Sequence, residues 1–78
     1  GYNNLGLILQ ALDDTAGAIK AFSRSVALDP RGQHAQLNLA KLYLKLGMED
    51  RARSVLEASL KLEPGNREVI KLLDSIED

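Results

Sequence analysis

The sequence predicts an all-α protein: five helices arranged as antiparallel helix-turn-helix repeats. Three observations carry this. The chain echoes itself at an offset of 34 residues. Apolar residues recur at helical spacing between turn signals. The only prolines, Pro30 and Pro64, stand one such offset apart and leave uninterrupted stretches long enough for helices. The clearest echo pairs VALDPRG at 26–32 with LKLEPGN at 60–66. At the same spacing Asn4-Leu5 meets Asn38-Leu39, Leu12 meets Leu46, Ala18 meets Ala52, Ser25 meets Ser59 and Leu28 meets Leu62. With the prolines this makes seven identities in 34 positions. A period of this length marks a supersecondary unit that buries its apolar face by stacking on its neighbours.

End signals bound each helix in turn. The first spans about residues 3–12 and is broken by Asp13-Asp14, whose acidic side chains can cap the second, about 15–28. Pro30 and Gly32 end that helix. The third spans about 33–46 and closes at Gly47, a residue suited to a left-handed C-cap. Glu49 and Asp50 open the fourth, which continues to about Leu62. Asn66 is the expected N-cap of a fifth, about 67–76. Connections of two to four residues require neighbouring helices to run antiparallel.

Two blocks, Asn4-Leu5-Gly6…Ala18-x-x-x-Phe22…Pro30 and Asn38-Leu39-Ala40-x-x-Tyr43…Gly47…Ala52-x-x-x-Leu56…Pro64, resemble the tetratricopeptide repeat. The resemblance covers essentially the whole chain and implies a short right-handed α-solenoid of about two and a half repeats, part of a longer protein. The units would be residues 1–32, 33–66 and a capping or partial-repeat helix at about 67–77. Small residues at Gly6, Ala18, Ala40 and Ala52 let paired helices approach closely, while Phe22 and Leu56 fill the space between a pair and its successor. The sequence departs from the family at several places. Gln36 stands where a bulky aromatic is common, Leu9 replaces a tyrosine, Asp13 replaces the glycine seen at Gly47, and Ser25 and Ser59 replace alanine.

Composition excludes several functions. The net charge is −1, from ten Lys/Arg and eleven Asp/Glu, so nothing favours nucleic acid or an anionic membrane as partner. No cysteine is present, which removes disulfides, thiolate metal sites and cysteine nucleophiles. The single histidine, His34, has Leu37 and Asn38 where a helical metal site needs its second ligand. Asp13-Asp14 reads as a loop and cap. Gly6, Gly17 and Gly32 form no phosphate cradle, and Arg51 and Arg53, interleaved with acids, read as a solvated face. No enzyme activity, cofactor or metal is expected. No apolar run approaches a membrane span and no signal peptide opens the chain, so a soluble protein is expected; its compartment is left open, with the cytoplasm slightly favoured.

The expected function is non-catalytic binding of a peptide or protein segment in the concave groove, the face that the resemblance assigns to the first helix of each pair. In the third helix, Leu39, Leu42, Tyr43 and Leu46 form the core stripe. Leu37 and Leu44 lie opposite, with His34, Lys41 and Lys45 adjoining them, and two exposed leucines beside two lysines suit a segment with apolar and acidic groups. The first helix adds Asn3, Leu7, Gln10 and Ala11, the fifth Glu68, Lys71 and Ser75, and Asn4 and Asn38 sit at the groove's edge. On this reading Leu37→Asp with Lys41→Glu abolishes binding without loss of stability. A two-carboxylate clamp for acidic chaperone tails is not expected. Asn38 fits it, but Asn3 and Leu7 replace its first pair, and Glu68 and Leu72 its basic pair.

The fifth helix carries Val69, Ile70, Leu72, Leu73 and Ile76 on one side, as a terminal cap or as the opening of a further repeat, and Arg67, Lys71, Asp74, Ser75 and Asp78 on the other. In the first, Tyr2, Leu5, Ile8, Leu9 and Leu12 form a packing stripe expected to meet the second helix and, in a longer array, a preceding one. That helix lacks an N-cap, and Gly1 is expected to be a cut point with a native neighbour missing. The alternatives to groove binding are a structural or terminal segment of a longer array or repeat-bearing enzyme, and homodimerisation through the uncapped first helix.

Overall fold

The computed structural model describes residues 1–76. It consists of α1 (Tyr2–Ala11), α2 (Thr15–Leu28), α3 (Gln33–Lys45), α4 (Glu49–Leu62) and α5 (Arg67–Ile76), with no strand among the described residues. Each helix packs on the next in the chain, so the architecture is the all-α helix-pair arrangement expected. The placement of residue 77 in the last helix, and of Asp78 on its polar side, lies outside the described residues.

The helix ends follow from local chemistry. Asp14 Oδ1 accepts the backbone N–H of Gly17 at 3.0 Å and caps α2. Asn66 Oδ1 accepts from the N–H groups of Glu68 and Val69, at 3.1 and 3.3 Å, and caps α5. The ends of α1 and α3 are the same motif written twice. The Asp14 N–H donates to Leu9 O and the Asp13 N–H to Gln10 O, as those of Met48 and Gly47 donate to Tyr43 O and Leu44 O. This Schellman geometry needs one left-handed residue. Gly47 supplies it at φ 76°, and Asp13, its counterpart one period earlier, adopts φ 63° despite its side chain.

The core has two parts. Ala18, Phe22, Leu39, Leu42, Tyr43 and Ala52 form one, joined at its edge by Leu9, Ile19, Val26, Leu44 and Met48. Leu37, Ala40, Leu56 and Val69 form the other, under Leu72, Leu73 and Ile76. The close approaches expected at the small residues are present. A Cβ placed on Gly6 would lie 2.5 Å from Cδ1 and Cε1 of the fully buried Phe22 ring. One period on, Ala40 shares a cluster with Leu56, so a larger small residue accompanies a smaller large one.

Several surface expectations need correction. Among the described residues of α1 only Gly6 is buried, and Asn3, Leu9 and Gln10 are half-buried. The Gly6–Phe22 approach fixes which arc of α1 meets α2, and it is not the most apolar arc. Tyr2, Leu5, Ile8 and Leu12 are therefore exposed, Leu12 by 72%. Leu46, expected in the core stripe of α3, is also exposed, because the helix ends at Lys45 and Leu46 becomes its C-cap. Ile70 lies on the exposed side of α5.

Candidate functional site

The odd-numbered helices α1, α3 and α5 share one face, and two side-chain contacts between them define it. Asn38 Nδ2 on α3 donates to Asn3 Oδ1 on α1 at 3.0 Å. Lys41 Nζ, one turn along α3, lies 2.8 Å from Glu68 Oε2 on α5. Both members of the ion pair remain half-exposed. The Glu68 carboxyl is held below its ordinary value of 4.5, first by the Lys41 hydrogen bond and charge, with smaller contributions from His34 and Lys71. His34, Lys41, Glu68 and Lys71 thus form one electrostatic neighbourhood. Lys45, exposed, lies one turn beyond Lys41 on α3, while Asn4, Leu7 and Ala11 are exposed on α1 and Gln10 is half-buried.

Leu37 does not belong to this surface. It is only 8% exposed and packs with Ala40, Leu56 and Val69, because α5 lies against the arc of α3 that would otherwise face solvent. Full burial of a leucine contributes about 1.5–3 kcal/mol, so this side chain works as core. Leu44 is half-buried against the other cluster. The expected pair of exposed leucines is therefore absent, and Leu37→Asp would place a carboxylate in the core. The open apolar contribution to the face comes from Leu7 on α1 instead.

Two glutamines link these elements through side-chain hydrogen bonds. Gln33 Oε1 accepts from Ser59 Oγ at 3.1 Å and from Asn66 Nδ2 at 2.6 Å. It ties the start of α3 to α4 and to the residue that caps α5. Gln36, buried at the position of the expected aromatic, donates from Nε2 to Pro30 O at 2.7 Å. A polar residue at an apolar repeat position was a signal for Gln36; Gln33, whose partners lie 26 and 33 residues away, gave none. Among the described residues no group of three His, Cys, Asp or Glu side chains is placed to hold a metal ion, and no helix is long and apolar enough to cross a membrane.

Paired helices stacked so that alternate members present one mixed polar face define a helical-repeat interaction module. The tetratricopeptide repeat family matches residues 9–76, and the chain belongs to it. The chain is 35% identical over 75 residues to the human E3 SUMO-protein ligase RanBP2, a match covering 95% of this chain and 2% of that protein. Human RanBP2-like and GRIP domain-containing protein 4 is 33% identical over 75 residues, which cover 95% of this chain and 4% of that protein. The chain thus corresponds to a small part of these relatives, and the ligase activity in the first name is that of the whole protein. Repeats of this family serve protein–protein interaction and are typically non-catalytic, which is the function class membership gives this chain.

Proposed function

We propose that the face shared by α1, α3 and α5 binds a protein segment carrying apolar and acidic groups. The observation that carries this reading is the convergence of Lys41, Lys71 and His34 around Glu68, adjoining the Asn3–Asn38 pair. Lys41, Lys45 and Lys71 against one Glu68 give the face a net positive charge, while the molecule as a whole carries −1. Asn3, Asn4 and Asn38 offer amide groups to a peptide backbone, and Leu7 and Ala11 offer apolar contact. The repeat units at about 1–32 and 33–66, and a cap or further half-repeat after them, remain part of the same proposal.

A peptide array of alternating leucine and aspartate or glutamate, probed with the chain, tests the reading. Lys41→Glu with Lys71→Glu is expected to abolish binding while the circular dichroism spectrum is retained. Undiminished binding by that variant refutes it.

The exposed stripe Tyr2, Leu5, Ile8 and Leu12 supports a second reading, self-association or stacking through α1. It continues into a groove of about 850 Å³ with Ile19, Ala27 and Arg24, whose guanidinium stands 5.7 Å from the centre of the Tyr2 ring. Light scattering at increasing concentration separates this from a monomeric groove binder.

A further inference from the structure

Neither α1 nor α3 contains a carboxylate, so the acid on the α1–α3–α5 face, Glu68, is brought to it by α5. Its place is fixed from two sides. Asn66 Oδ1 accepts the Glu68 N–H at 3.1 Å, and Asn66 Nδ2 donates to Gln33 Oε1 at 2.6 Å, which anchors the start of α5 to α3. From there the Glu68 carboxylate reaches Lys41 Nζ at 2.8 Å. Lys41 foremost, then His34 and Lys71, hold the carboxyl below its ordinary value, so it is charged at neutral pH. Among the described residues Lys45 and Lys71 are in no ion pair, and Asp74, the other acid of α5, pairs with none of these lysines.

We infer, on the reading of this face as a binder of acidic, apolar segments, that Glu68 is a specificity-determining residue. Its carboxylate occupies the Lys41 ammonium as a tethered stand-in for a carboxylate of the ligand. A partner's acidic group approaching Lys41 meets a cation already neutralised and a like charge beside it, a repulsive element that lowers affinity for that placement. Lys45 and Lys71 carry no such stand-in. The face therefore favours segments whose acidic groups reach Lys45 or Lys71 and discriminates against those that need Lys41. Both members of the pair are half-exposed, so the pair adds little to the fold and can be removed without unfolding it.

The test is calorimetric titration of the wild-type chain and of Glu68→Gln with an alternating leucine–aspartate peptide and with its leucine–asparagine counterpart. Glu68→Gln keeps the side chain's shape and removes its charge. The aspartate peptide is expected to bind this variant roughly two- to fivefold more tightly than wild type, or to bind it alone. The gain should shrink as salt is raised, and the asparagine peptide should not distinguish the two chains. In a Lys41→Gln background the gain is expected to fall, because the cation that Glu68→Gln sets free is gone. Equal affinity of both chains for the aspartate peptide, the same gain with the asparagine peptide, or an undiminished gain in the Lys41→Gln background would each overturn the inference while leaving the face a binder. No binding by either chain would overturn the reading of the face and the inference with it.

Discussion

Replacing Gly6 by alanine sets two effects against each other. Alanine is favoured over glycine inside a helix by about 1 kcal/mol, so propensity alone makes the change stabilising. Against this, the new methyl would lie 2.5 Å from two carbons of the Phe22 ring and 2.9 Å from a third. That ring is fully buried among Ala18, Leu39 and Ala52 and has no free end to swing away. Overpacking of this kind costs roughly 1–3 kcal/mol, and the balance is a net loss of up to about 2 kcal/mol. In a domain of this size that lowers Tm by up to roughly 15 °C. Urea unfolding followed by circular dichroism reads it directly. The decisive arm is Gly6→Ala with Phe22→Leu, which recreates the Ala40–Leu56 combination found one period later. In the Phe22→Leu background the alanine is expected to be neutral or stabilising. Stabilisation by Gly6→Ala in the wild-type background would refute the claim that the Gly6–Phe22 approach sets the face of α1.

Leu37→Asp is expected to cost at least about 3 kcal/mol, enough to unfold most of the population, because it buries a carboxylate beside Val69 and Leu56. Lys41→Glu, one turn away and half-exposed, is expected to move Tm by no more than about 4 °C; thermal melts of the two variants check both. Gly47→Ala should destabilise by about 1 kcal/mol and Asp13→Gly should stabilise by about 0.5 kcal/mol, since both positions hold left-handed backbone. Glu68 is a depressed acid, so the stability it contributes is present above its unfolded value of 4.5 and disappears as pH falls through its lower folded value. The gap in urea midpoint between wild type and Glu68→Gln should therefore close in acid; a gap constant from neutrality into acid would contradict the Lys41 pairing.

Where the sequence reading worked, a local physical signal existed. The repeat offset and the turn residues located five helices to within a residue at each end, because caps such as Asp14 and Asn66 act on backbone only two or three positions away. The small residues Gly6 and Ala40 identified the close helix contacts for the same reason. Burial was harder, since a helix in a stack has neighbours on several sides. Treating α3 with one buried stripe left Leu37 outside, whereas α5 covers it. In α1 the apolar arc meets α2 only along one edge, where Leu9 packs against the core and Tyr2 lies beside Arg24, and the Gly6 contact leaves Leu5, Ile8 and Leu12 exposed. The Gln33 link to Ser59 and Asn66 depends on tertiary placement that no spacing rule encodes. The Asn3–Asn38 and Lys41–Glu68 contacts bring together residues that the family resemblance assigns to one face.

The central claim is that α1, α3 and α5 present the binding face. Its most direct test is chemical-shift mapping of the chain with the tightest leucine–aspartate peptide from the array. The largest perturbations are expected at Asn38, Lys41 and Lys71, with the Lys41–Glu68 pair responding to the peptide's acidic groups. Perturbations confined to the Tyr2–Leu5–Ile8–Leu12 stripe, with the α3 and α5 residues unmoved, would contradict it.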